Sequence, residues 1–115
     1  MVDRLKDVVI RGGENVYCAE VEAALYEHPA VASVAVVGVD ERTMGERVCA
    51  VVVVREGDDL DLPGLRTFAR SRLAGFKVPE ALVLVDEMPE TATGKIDKKA
   101  VRSSVGEDSA VERAW

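Results

Sequence analysis

One stretch limits the possible folds more than any other: "VCAVVVV", Val48–Val54. Successive side chains of a strand point to opposite faces, so a run with no polar member leaves neither face for water. Such a segment is an interior strand, buried on both sides. The rest of the chain has to supply the cover.

The flanking segments read as that cover. Val8–Ile10 is a short β-type run that stops at "RGGEN", where Gly12 and Gly13 permit a turn with positive φ and "NVY" returns as a partner strand. Ala19–Glu27 places Val21, Ala24, Leu25 and then His28 on one side, with Glu20, Glu22 and Glu27 mostly on the other, the pattern of an amphipathic helix ended by Pro29. Val31–Val39 reads as a strand, "DERTMGER" as a loop, and Asp61 as the cap of a helix with Pro63 in its first turn. Leu62, Leu65, Phe68, Ala69 and Leu73 form that helix's apolar stripe, and Gly75 ends it. Ala81–Val85 is a further buried strand, and a terminal helix runs from about Asp97 to Ser104. The expected fold class is α+β: a short N-terminal β-hairpin plus a small, roughly three-stranded sheet covered by helices. One domain spans residues 1–105, and residues 106–115, polar apart from Trp115, read as a frayed tail.

Composition excludes several functions. The formal net charge of -6 argues against nucleic-acid binding, which requires a basic surface. No apolar run approaches the roughly 20 residues of a membrane span, and "MVDRLKD" lacks the apolar core of a signal peptide. Cys18, Cys49 and the single His28 make no zinc pattern, so no metal site is expected. Two thiols in such a chain point to a reducing, cytoplasmic setting.

Two glycine-marked loops carry the candidate chemistry. In "PETATGKIDKK", the Gly94-Lys95 pair suggests a phosphate-binding P-loop, but Pro89 stands at the first glycine position and Ile96 where Ser or Thr would bind magnesium. That reading fails. What remains is a threonine-rich loop whose glycine frees the backbone before Lys95, a long-stemmed point charge suited to a phosphate or carboxylate. Taken alone, Lys95 reads first as an ordinary exposed lysine. The pair in "RGGENVY" is as readily a plain turn as a place where an extended ligand lies against bare backbone.

Taken together, "DRLKDVVIRGGENVYCAEVE" and "MPETATGKIDKK" resemble the C-terminal domain of the AMP-forming acyl-CoA synthetases, the adenylate-forming superfamily that includes luciferase and peptide-synthetase adenylation domains. The resemblance runs from about Val2 to Val105. It implies a two-step ligase in which a carboxylic acid and ATP give acyl-AMP and pyrophosphate, and CoA then displaces AMP. ATP and CoA are thus substrates, with Mg2+ expected on a large N-terminal domain and not here. Residue by residue, the resemblance makes Lys95 the catalytic lysine of the first step and Arg4 a contact to the ATP/AMP ribose. Lys6, with Asp7 beside it, becomes the hinge about which the domain turns between steps. Gly12, Gly13 and Glu14 become the loop along the CoA pantetheine arm. Lys95 is then expected on a flexible loop, withdrawn for the second step. Cys18 departs from the family, where proline usually precedes "AEVE".

The resemblance further implies an excised or separately expressed domain whose partner is its own N-terminal domain, and which adenylates nothing alone. The acid, fatty or another acyl or aryl acid, is chosen outside this chain. "PETATGK" also fits the P-x4-G-K pattern read by protein acetyltransferases, so Lys95 is a candidate for reversible acetylation. Two alternatives stand beside this: a free-standing small binding module, and an adenylation domain loading a carrier protein. The second is disfavoured by "GGENVY", where such domains read "RGFRIELGEIE".

Overall fold

The valine run lies within β4 (Gly45–Val54), an inner strand of a mixed sheet with six strands among the described residues. The structure is a computed structural model and describes residues 7–107 and 111–114. Along one edge, β3 (Val31–Glu41) pairs antiparallel with β4 over almost its full length, Val36 opposite Ala50 and Val37 opposite Cys49. β5 (Ala81–Leu84) pairs with β4 in parallel, from Cys49–Ala81 to Val52–Leu84. Parallel neighbours need a crossover. It is supplied here by α2 (Leu62–Arg70) and a short 3₁₀ turn, Gly75–Lys77.

Alternation along β4 divides the interior into two cores. Val48, Ala50 and Val52 pack with Val34, Val36 and Leu82 against α1 (Cys18–Leu25) and α2, through Val21, Leu25, Leu62 and Leu65. Cys49 and Val51 pack on the opposite side with Ala35, Val37 and Val83 against Val101 and Val105 of α3 (Lys98–Glu107). The expectation of a strand covered on both faces is met.

The N-terminal hairpin forms as read, from β1 (Val8–Arg11) and β2 (Glu14–Tyr17). It buries Val9 and Val16 in the first core and joins the sheet where Arg11 pairs with Gly45. Tyr17 gives α1 no side-chain cap. Instead the Cys18 N–H donates to the Asp7 carbonyl at 3.2 Å, a bond that a proline in this position could not make. At α2 the Asp61 carboxylate accepts from the Gly64 N–H at 2.8 Å and Pro63 sits in the first turn, as expected. That helix stops at Arg70, earlier than Gly75, and the chain turns through Ser71 and Arg72 into the 3₁₀ turn.

The reading of a frayed tail is corrected for residues 111–114. Val111 is buried, β6 (Glu112–Arg113) pairs antiparallel with β5, and the Ala114 N–H donates to the Glu80 carbonyl at 2.8 Å. The polar composition misleads because Glu112 has a use: its carboxylate accepts from the Leu62 N–H at 3.1 Å, at the start of α2.

Two substitutions grade this account. Leu65→Ala, at a side chain with no exposure, is expected to cost about 2–5 kcal/mol, and Asp61→Ala about 1 kcal/mol. Urea unfolding of the domain measures both, and a smaller loss for Leu65→Ala than for Asp61→Ala would contradict the packing described.

Candidate active-site turns and the ion clusters beneath them

Lys95 sits on a turn pinned from within. Gly94 N–H donates to the Thr91 carbonyl at 3.0 Å, and Thr91 N–H to the Lys95 carbonyl at 2.7 Å. Glu90 bridges Ile96 in antiparallel fashion, and Asp97 N–H donates to the Pro89 carbonyl at 2.8 Å, so the segment is a miniature hairpin. Thr91 Oγ1 also accepts from the Lys95 N–H at 3.3 Å and lies 3.0 Å from Thr93 Oγ1. Gly94 takes φ +84°, a backbone state that a side chain would strain. The threonines and the glycine thus form a hydrogen-bonded closed turn. The Lys95 side chain is exposed, and its ammonium has no hydrogen bond or ion pair among the described residues.

The glycine turn is fastened at its base. Gly12 and Gly13 adopt φ +56° and +86°, and the Gly12 N–H donates to the Met44 carbonyl at 2.8 Å. A Cβ on Gly12 would meet the Met44 methyl, whereas the space at Gly13 is open. Gly13 and Glu14 are exposed, so bare backbone faces solvent at the tip. No hydrogen bond or ion pair joins this turn to the Lys95 turn among the described residues. Of the remaining expected site residues, Asp7 is half-buried, and Arg4 and Lys6 lie outside the described residues.

Beneath each turn lies an ion cluster that sequence reasoning did not find. Lys98, three residues after Lys95, donates to both Asp7 carboxylate oxygens, at 3.1 and 2.9 Å, and to the Val36 carbonyl at 3.0 Å. It also pairs with Glu22 Oε2 at 2.7 Å, while that oxygen accepts from the Val36 N–H at 2.8 Å. Burial works to lower the Lys98 pKa, but hydrogen bonds to Glu22 and Asp7 outweigh it and hold it above the usual lysine value. Burial, then the Asp7 charge, push the neighbouring Cys18 thiol up to about 12, and burial does the same to Cys49. Burial thus favours the protonated thiol at both positions.

The second cluster centres on Glu80, 7% exposed and the buried charged residue of the described structure. Arg11, next to Gly12, donates to it through Nε and Nη2 at 2.6 and 3.1 Å, and Arg47 through Nη1 at 2.6 Å. Arg47 Nε reaches Glu41 at 2.8 Å, and Glu41 accepts from the Thr43 and Met44 amides. Burial pushes the Glu80 carboxyl upward, yet Arg11 and Arg47 outweigh it and hold it below the ordinary value. Glu41 is lowered from 4.5 to about 2, chiefly by the Thr43 amide. Among the described residues no group of three or more His, Cys, Asp or Glu could hold a metal ion. No described helix is long and apolar enough to cross a membrane.

These shifts set an acid response. Folded pKa values below the unfolded ones give stability that is full above pH 4.5 and lost as pH falls from there toward 2. The urea midpoint should fall across that window, and Glu80→Gln, weaker at pH 7 by about 1–3 kcal/mol, should show a shallower fall. Parallel curves for the two proteins would remove Glu80 from the acid response.

Comparison with known proteins finds relatives over most of the chain. Residues 20–95 match the family model described as the AMP-binding enzyme C-terminal domain, from α1 through Lys95. The chain is 48% identical over 106 residues to a feruloyl-CoA synthase of Amycolatopsis sp, covering 92% of this chain and 22% of that protein. It is 50% identical over 96 residues to a long-chain-fatty-acid–CoA ligase of Bacillus subtilis, covering 84% and 17%. Among solved structures, a Mycobacterium tuberculosis fatty acyl CoA synthetase superposes with TM-score 0.84 at 36% identity, covering 90% of this chain and 20% of that one. The chain thus spans about a fifth of the length of the curated relatives it matches.

Proposed function

Since the chain belongs to the family of AMP-binding enzyme C-terminal domains, we propose that it is the mobile catalytic lid of an ATP-dependent acid–thiol ligase. The observation that carries this reading is the exposed, unpaired ammonium of Lys95 on a pinned turn. In the first step a carboxylate oxygen attacks the α-phosphorus of ATP, and the bond to pyrophosphate breaks. Two anions must approach each other, and negative charge builds on the phosphoryl oxygens. A cation presented between them lowers that barrier by a few kcal/mol, about 3 in comparable cases.

In the second step the CoA sulfur attacks the acyl carbon and the bond to AMP breaks. That step needs no second cation at the phosphate but does need a channel for the pantetheine arm. The exposed backbone at Gly12, Gly13 and Glu14 supplies one wall, where a side chain would obstruct it. The domain presents one turn and then the other by rotating at Lys6 and Asp7, and Arg4 steadies the nucleotide ribose. The acid pocket and the site for Mg2+-bound ATP belong to the part of the relatives' length that this chain does not match. No described cluster here would hold that metal ion. The acid is a fatty or other acyl or aryl acid, and the enzyme works in the reducing cytoplasm, consistent with two buried free thiols.

The same exposure makes Lys95 accessible to an acetyltransferase. Acetylation would remove the charge that the first step uses, and a deacetylase would restore it. Mass spectrometry of Lys95 after treatment with an acetyltransferase and acetyl-CoA tests this, and an unmodified Lys95 beside other acetylated lysines would count against it.

In the full-length enzyme, Lys95→Ala should slow acyl-AMP formation by about 100-fold or more while thioester formation from supplied acyl-AMP changes less than about threefold. Pyrophosphate release and thioester formation measure the two halves separately. Equal loss in both would defeat the two-step assignment, and pyrophosphate release by the 115-residue chain alone would show that no second body is needed.

A further inference from the structure

The two ion clusters share no residue, and they lie at opposite ends of one strand. Asp7, the residue before β1, belongs to the Lys98 cluster, and Arg11, at the end of β1, belongs to the Glu80 cluster. We propose that each cluster is the positioning device of one half-reaction: Lys98 with Asp7 and Glu22 sets the Lys95 turn for adenylation, and Glu80 with Arg11 and Arg47 sets the glycine turn for thioester formation. This rests on the function proposed above and assigns residues that touch neither substrate.

The geometry behind the first assignment is direct. Lys98 opens α3, so whatever fixes its side chain fixes the exit of the Lys95 turn. Its ammonium reaches the free edge of β3 at Val36 and meets acids from α1 and from the residue before β1. One side chain therefore links the layers on both faces of the sheet. The partner Asp7 lies in the segment about which the domain is proposed to turn, so the clamp ties the Lys95 turn to the pivot.

The second assignment has the same logic at the other end. Arg11 precedes Gly12 and is held by a bidentate pair to Glu80, whose own backbone is fastened to β4 through the Val48 carbonyl at 2.7 Å. Arg47 and Glu41 extend the tie into the β3–β4 turn, whose Met44 carbonyl receives the Gly12 N–H. Glu46 Oε1 takes the Ile10 N–H at 2.8 Å, so the strand entering the turn is also fixed. Planar guanidinium forks suit this task because they constrain orientation as well as distance.

The test is a double dissociation in the full-length enzyme, with half-reactions assayed separately and Lys95→Ala as control. Lys98→Met should slow acyl-AMP formation by about tenfold or more and thioester formation from supplied acyl-AMP by less than about threefold, and Glu80→Gln should do the reverse. Lys98→Arg, which keeps the cation, should recover most of the loss. If either variant fails to fold, as judged by its melting curve, Glu22→Gln and Arg11→Gln remove one charge from each cluster and must show the same split. Equal effects of both clusters on both half-reactions, or no effect of either, overturn the proposal. If instead Lys95→Ala leaves acyl-AMP formation intact, the function proposed above fails, and this assignment fails with it.

Discussion

The demand that β4 be dry on both faces shapes everything else in this molecule. Its alternating valines and small residues face α1 and α2 on one side and α3 on the other. With both faces filled by aliphatic side chains, charged residues are displaced to strand ends and open edges. There they meet unpaired backbone groups that also need partners. The Val36 N–H and carbonyl, on the open edge of β3, are answered by Glu22 and Lys98. The core thus dictates where its own ion clusters can form.

Such clusters are poor sources of stability for their size. Withdrawing charges from water costs several kcal/mol per ion, roughly what their mutual attraction returns. Their effect is geometric, because a bidentate arginine or a lysine held by two acids tolerates few alternative arrangements. Lys95 is the opposite case. Its ammonium has no partner among the described residues, while the turn that carries it is closed by hydrogen bonds at Thr91, Gly94 and Lys95. That contrast between Lys95 and Lys98, three residues apart, separates a group available to a ligand from one committed to the fold.

Much of this was legible in the sequence, for reasons that differ by element. The valine run, the Gly12-Gly13 turn and the Asp61–Pro63 helix start depend on local stereochemistry, and local pattern suffices to read them. The ion clusters depend on residues far apart in the chain, such as Arg11 and Glu80, which no local rule brings together. A lone acid, Glu80, directly before an apolar strand was the available hint, because a charge at a buried strand entry requires partners. The tail was misread because composition reports solubility and not hydrogen bonding, and Glu112 and Ala114 are fixed by backbone partners. In the Lys95 segment the glycine and threonines are visible in the sequence, but the hydrogen bonds by which they close the turn are not.

The hydrogen bond from the Cys18 amide to the Asp7 carbonyl has a mechanical meaning once the body is treated as a lever. For an object whose longest extent is 38 Å, an angular error of about 3° carries a far point about 2 Å off target, enough to ruin alignment at a reacting centre. The Lys98–Asp7 pair adds a second tie, so α1 and α3 are both anchored at the very residue beside the proposed pivot. The glycine turn lies beyond the other end of β1, outside that anchor. Angular play of both helices is thereby limited from a single residue.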